Sequence, residues 1–261
     1  MTAPLARRDP AVKLGVVFAL SLLLVLVIDP VTPALFLVLT LAAALTLGGV
    51  RLALVVRALV PLGIVAIGFV WSNAIFATTH EPATWTFGPL RASEAGLRFG
   101  IAIALRGLAI GMLSLTFVWT TDPTDLIVSL IRHARLPFRI GYPLLAGYRF
   151  LPFFADEYEQ VRLARRVRGE ARVRTPLAIV RRALGELVTL LADAVRRATR
   201  IAIAMDARAF AAARERTYYR NVSIDRADVL FAVAAISGAV ALIVLSAAAG
   251  WLRIWDGRFA A

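Results

Sequence analysis

Five apolar runs punctuate the chain, at roughly residues 11 to 28, 33 to 48, 58 to 77, 99 to 120 and 228 to 250. A helical membrane span needs about 17 to 25 predominantly apolar residues. A backbone crossing lipid has to satisfy its own hydrogen bonds, so runs of this kind predict helices. The expected fold class is an all-α membrane protein with about five transmembrane helices: an N-terminal membrane region over 1–120 with four spans, a polar region over 121–227, and a final span with a C-terminal tail over 228–261.

Between the fourth and fifth runs the pattern changes from continuous to periodic. Asp122-Pro123 reads as an N-cap followed by proline at the first helical position, opening a short helix to about Arg135, before Leu136-Pro137. A second helix is predicted from near Gly141, through Pro143 and Pro152, with Phe154, Tyr158, Val161 and Val167 on one stripe, stopping at Gly169. The third opens at Thr175-Pro176 and runs to about Phe210, on the order of 50 Å at 1.5 Å per residue. Leu177, Val180, Leu184, Leu187, Leu191, Val195 and Ala198 fall on one face of it, opposite Arg181, Arg182, Arg196, Arg197 and Arg200. So long an apolar face calls for something to cover it, either the preceding helix or a membrane helix of another protein.

Composition supports the membrane reading, with 60% of the residues hydrophobic and a net charge of +13 that is almost all arginine, Lys13 being the only lysine. A P-loop needs a Gly-x-x-x-x-Gly-Lys-[Ser/Thr] run, and that lysine sits in Ala-Val-Lys-Leu-Gly, so no such nucleotide loop exists. There is no cysteine, which excludes disulfides, thiol nucleophiles and thiolate metal sites. His80 and His133, the only histidines, fall on segments expected on opposite sides of the membrane. No catalytic residue, metal site or cofactor is predicted.

Arginine also sets the expected orientation, because cytoplasmic loops carry the excess of positive charge. Residues 121–227 hold 20 arginines against 11 acidic residues and are placed inside, as is the N-terminus; the C-terminus is then outside. The first run, preceded by Arg7, Arg8 and Lys13, is followed by Asp29-Pro30 where a signal peptide would carry small residues, and reads as a membrane anchor. Trp71, Trp85, Trp119, Trp251 and Trp255 fall near predicted span ends, as interfacial aromatics do.

A few residues stand out from this background. Arg106 lies within the fourth apolar run, where a charge either makes a buried polar contact or snorkels to the interface. Gly107 and Gly111 have the spacing of a close helix approach. Arg168 and Arg208 lie at predicted helix ends. There a guanidinium either complements the helix dipole, worth about 0.3 to 1 kcal/mol, or projects its planar fork into an acidic groove on another protein. Periodicity alone leaves both open.

The chain resembles the transmembrane T component of energy-coupling factor transporters, the EcfT and CbiQ-like membrane subunits of bacterial vitamin and metal importers. The likeness covers most of the chain. It is carried by Arg-Asp-Pro-Ala-Val-Lys-Leu at 8–14, Thr120-Thr121-Asp122-Pro123, Leu136-Pro137 and Arg149-Phe150-Leu151-Pro152. Most specific are Ala164-Arg165-Arg166-Val167-Arg168-Gly169 and, some 40 residues later, Ala204-Met205-Asp206-Ala207-Arg208-Ala209. The second motif departs from the commoner Ala-Arg-Gly in having Ala209 where the family carries glycine.

The resemblance implies that 121–227 is a coupling-helix region whose helices cross like an X. Arg168 with Gly169, and Arg208 between Ala207 and Ala209, would each couple to one of two ABC-type ATPase subunits, supported by Ala164, Arg165, Met205 and Asp206. It further implies a membrane-embedded S component that binds the substrate, among biotin, thiamine precursors, cobalamin, cobalt and nickel. The expected setting is the bacterial inner membrane, with the lipid bilayer and these subunits as partners and no nucleic acid. Two other readings compete: a substrate-translocating permease subunit of another ABC transporter, which calls for a single Glu-Ala-Ala-type coupling helix, and a membrane-anchored basic scaffold, whose binding falls steeply with salt.

Overall fold

A computed structural model of the chain describes residues 3–27, 29–76, 85–87, 90–92, 94–168, 175–210 and 223–250. His80, Gly169, Trp251 and Trp255 lie outside the described residues. After a 3-10 turn at Pro4–Arg7 come helices α1 (Pro10–Val25), α2 (Val31–Thr46) and α3 (Leu52–Phe76). A short antiparallel hairpin, β1 (Trp85–Phe87) with β2 (Leu90–Ala92), pairs Thr86 with Arg91. Then follow α4 (Glu94–Thr120), α5 (Pro123–His133), α6 (Phe138–Val167), α7 (Pro176–Ala207) and α8 (Arg226–Ala248). The protein is an all-α membrane protein to which the hairpin is a small addition.

Among the described residues three helices are long and apolar enough to cross a membrane: Leu52–Phe76, Gly96–Thr120 and Arg226–Ala248. The first two predicted spans are apolar helices of 16 residues each, about 24 Å long at 1.5 Å per residue and so shorter than a standard span of about 30 Å. Both begin at a proline-containing turn that fixes where the helix starts: Asp9-Pro10 for α1 and Asp29-Pro30 for α2.

The chain divides into two compact units, residues 1–129 with 222–261, and residues 130–221. The division therefore falls inside α5, beyond the 120/121 position at which the apolar pattern ends. In the first unit α4 is the central helix, packed against α1, α2 and α3, while α8 closes on α1 and α2. The core comprises Val16, Leu20 and Leu24 of α1, Phe36 of α2, Ala109 and Leu113 of α4, and Ala239 of α8. Apolar residues facing away, such as Phe18, Ile64, Ile67 and Leu230, are exposed, as expected of side chains that meet lipid rather than water.

Small residues let α4 approach its neighbours. A Cβ at Gly100 would lie 3.0 Å from both the Cα and the carbonyl oxygen of Val70 on α3, whereas one at Gly111 would meet the flexible end of Leu62. Gly107, expected to share a seam with Gly111, has nothing within 4 Å and faces away from it. The close approach is thus made at Gly100, about two turns nearer the start of the helix than Gly107. Arg106, also on α4, makes a buried polar contact and does not snorkel: its Nη2 donates to the carbonyl of Val27, just past the end of α1.

Gly100→Ala is expected to destabilise the protein by about 1 to 3 kcal/mol, because backbone and not side chain has to move, while Gly107→Ala is neutral. Thermal unfolding of the two variants in detergent checks the contrast; equal effects would contradict the packing described.

Candidate functional site

The second unit is built on α6 and α7, which run antiparallel. The start of α6 meets the end of α7, where Phe210 packs edge-on against Phe138 at 5.7 Å and Tyr142 at 5.9 Å between ring centroids. Midway, the Arg197 guanidinium lies over the Phe153 ring, 3.5 Å from its centroid. Near the end of α6, the Arg165 guanidinium rests on Gly185, where a Cβ would lie 2.9 Å from Nη1. Close by, Arg182 Nε donates to Glu186 Oε1 at 2.9 Å, within α7, and Glu186 is buried.

These contacts lie on the small and polar side of α7. Of the two candidates for covering the apolar face of α7, the preceding helix does not take it: Leu177 is 81% exposed, Leu184 57%, Leu191 55% and Val195 64%. The physical reason is side-chain chemistry. Arg165 sets its planar head against Gly185 and Arg197 sets its own over the Phe153 ring, and Gly185 leaves room for a guanidinium that a leucine would exclude.

The two motif arginines occupy equivalent backbone positions. Arg168 is the C-cap of α6, its N–H donating to Ala164 O at 3.2 Å. Arg208 is the C-cap of α7, its N–H donating to Met205 O at 3.1 Å. Both side chains are exposed and neither has a hydrogen bond or ion pair among the described residues. Because the helices are antiparallel, the two caps lie at opposite ends of the pair. The pairing of 165 with 185 and 153 with 197 puts roughly 40 Å between them along the axis at 1.5 Å per residue.

At Arg208 the backbone is specified in detail. Ala209 N donates to Asp206 O at 2.9 Å and Phe210 N to Met205 O at 3.0 Å, the paired bonds of a Schellman C-cap. That motif requires a left-handed residue, and Ala209 has φ 55°. Alanine thus holds the conformation that glycine adopts without Cβ strain. Phe210 supplies the apolar contact that completes the cap and ties it to α6. Of the supporting motif residues, Ala164, Met205 and Asp206 provide the carbonyls of the two caps, while Arg165 faces α7 and is only partly exposed.

In the first unit a buried polar cluster draws together segments far apart in sequence. Asp9 caps α1, accepting from Ala11 N at 2.8 Å and Val12 N at 3.2 Å. Its two oxygens lie 2.8 and 2.9 Å from Ser129 Oγ of α5, whose hydroxyl donates to it. Asp9 N donates to Asp228 Oδ1 of α8 at 3.2 Å, and Asp228 Oδ2 closes a capping box with Asp225 N. Arg8 Nη1 lies 3.8 Å from Asp228 Oδ1. Lys13 Nζ donates to Thr120 O, at the end of α4, at 2.7 Å. Asp9, Lys13, Ser129 and Asp228 are all buried.

Sequence reasoning missed Ser129, Asp228 and Phe210. Asp228 sits three residues after Asp225 at the head of an apolar run, a readable capping signal. Ser129 carried none, being one hydroxyl on an amphipathic helix. Among the described residues no group of three or more His, Asp or Glu is placed to hold a metal ion.

The profile of the CbiQ family, described as cobalt transport protein, matches residues 1–219. The chain is 30% identical over 260 residues to the energy-coupling factor transporter transmembrane protein EcfT of Brevibacillus brevis, covering 95% of this chain and 94% of the relative. It is 26% identical to the protein of the same name from Bacillus subtilis, over 97% of this chain and 95% of the relative. A putative ABC transporter ATP-binding protein of Bifidobacterium longum is 29% identical over 92% of this chain, which spans 31% of that longer protein.

Replacing the left-handed alanine gives a direct test of the cap geometry. Ala209→Gly is expected to stabilise the end of α7 by about 1 kcal/mol, read as slower hydrogen exchange at the Ala209 and Phe210 positions. Ala209→Val has the opposite effect, and exchange unchanged in both variants would contradict the assigned φ.

Proposed function

The chain belongs to the CbiQ cobalt transport protein family, as a transmembrane component of the energy-coupling factor type, and on that premise we propose that it couples ATP hydrolysis by two partner subunits to import. Arg168 and Arg208 each insert into an acidic groove of one ABC-type ATPase, and the α6–α7 pair carries the resulting motion to a membrane-embedded S component that binds a vitamin or a transition metal ion. The supporting observation is that two exposed arginines, with no side-chain partner among the described residues, cap the C-terminal ends of an antiparallel helix pair at its two extremes. A guanidinium fork suits a carboxylate-lined groove. A separation of roughly 40 Å suits two bodies better than one.

The printed name of the Bifidobacterium longum relative, an ATP-binding protein that contains a stretch similar to this chain, supports an ATPase as the partner. The exposed apolar face of α7 is then where the S component rests, since α6 covers the other side. In this reading residues 121–227 and the N-terminus are cytoplasmic, the C-terminus is outside, the bilayer is the inner membrane, and the chain itself catalyses nothing.

Arg168→Ala or Arg208→Ala is expected to lower ATP-driven uptake by on the order of tenfold, the weight of one charge-assisted contact, and the double variant to abolish both uptake and retention of the ATPases on purification. Unchanged uptake together with intact assembly in the double variant would refute the coupling assignment.

A further inference from the structure

The division between the two units falls within α5, directly after Ser129. Helix α5 carries the chain out of the membrane helices, so how firmly its first turns are held decides whether a displacement beyond Ser129 reaches the membrane or is lost at the junction. Its near end is continuous with α4 only through Thr121 and Asp122, since α4 ends at Thr120 and α5 begins at Pro123. Within it Asp122 caps α5, its Oδ1 accepting from the amides of Thr124 and Asp125, which fixes where the helix starts but does not tie its later turns to α1 or α8. What holds α5 is therefore the contacts it makes sideways.

Ser129 has no exposed surface and its hydroxyl reaches both oxygens of Asp9. Ser129 Oγ also accepts weakly from Ala11 N at 3.3 Å. Asp9 is itself fixed by the amides at the start of α1 and, through its own N–H, by Asp228 at the start of α8. Lys13, one turn along α1, grips the last carbonyl of α4. The starts of α1 and α8, the end of α4 and the second turn of α5 thus share one buried polar cluster. In a low-dielectric interior such bonds are strong, and each is costly to break singly, because the remaining partner is left unsatisfied.

We infer that the Ser129–Asp9 contact is the clamp through which movement of α5 is delivered to α1 and α8, making Ser129 and Asp9 positioning residues for coupling. This rests on the coupling function proposed above. The inference concerns neither ATP hydrolysis nor docking of the ATPases, both of which take place on the other unit or on partner chains. It therefore separates two quantities that a merely structural role moves together: the rate of hydrolysis and the amount imported per ATP.

The test uses the complex purified with its partners and placed in liposomes, with radiolabelled cobalt(II), nickel(II), biotin, thiamine and cobalamin offered in turn. Ser129→Ala and Asp9→Ala are each expected to lower import per ATP hydrolysed by about tenfold, the equilibrium weight of one buried charge-assisted hydrogen bond, while ATPase rate and subunit composition stay at the wild-type level. Asp9→Asn retains most of the coupling, because an amide can both accept from and donate to the serine hydroxyl. The Ser129→Ala/Asp9→Ala double variant is no worse than Asp9→Ala alone, since Asp9→Ala already removes the contact that Ser129→Ala would break. A wild-type ratio in Ser129→Ala overturns the clamp. So does a parallel fall in hydrolysis, melting temperature and import, or a variant complex that does not assemble. A wild-type complex that hydrolyses ATP but imports none of the compounds instead refutes the importer reading on which the inference rests.

Discussion

Helix ends that finish inside an apolar environment leave up to four amides or four carbonyls without partners, and lipid offers none. In this protein one carboxylate, Asp9, meets that constraint at the junction where most chain segments come together. It takes two amides of α1 and the hydroxyl of Ser129, and its own amide is held by Asp228. The cluster contains cations as well as anions, Arg8 beside Asp228 and Lys13 within electrostatic reach of Asp9, Asp125 and Asp228. Buried charge of one sign is thus balanced locally. The other end of α1 is served in the same way by Arg106 on Val27, and the start of α2 by Asp29, which accepts from Thr32 N and Oγ1.

The second unit follows a different logic. Its two long helices meet through guanidinium groups, a glycine, aromatic rings and a buried glutamate, and leave leucine and valine outside. A soluble helix pair buries its apolar stripes and exposes its arginines. The reversal suits an apolar surface that belongs to the larger assembly proposed above, and it leaves the two cap arginines at the far ends of the pair without a side-chain partner among the described residues. Phe210, seated on Phe138 and Tyr142, fixes the Arg208 cap to the helix that bears Arg168 at its other end.

Much of this was legible in the sequence. The apolar runs placed α3, α4 and α8, and the Thr175-Pro176 signal placed the start of α7. Ala209 stood out in the sequence only as a departure from the family's glycine, and its positive φ is seen in the structure alone. What the sequence withheld depends on which face of a helix meets which neighbour. Periodicity marks the Leu177 to Ala198 stripe as apolar but is silent on whether α6 takes it, and the outcome turned on Arg165 and Arg197 fitting against Gly185 and Phe153. Likewise Gly107 and Gly111 are equivalent by spacing, yet only a helix's rotation decides which one faces a partner, and Gly100 makes the tighter approach. Ser129 was unreadable because its importance lies in a contact 120 residues away.

As proposed, the chain is a mechanical link between two ATPases and a separate substrate-binding membrane protein. Native mass spectrometry of the tagged chain, purified in mild detergent, tests it most directly. The predicted species contains one copy of this chain, two ABC-type ATPase subunits and one small membrane protein. A chain that runs alone, or that holds a single ATPase with no second membrane protein, would contradict it.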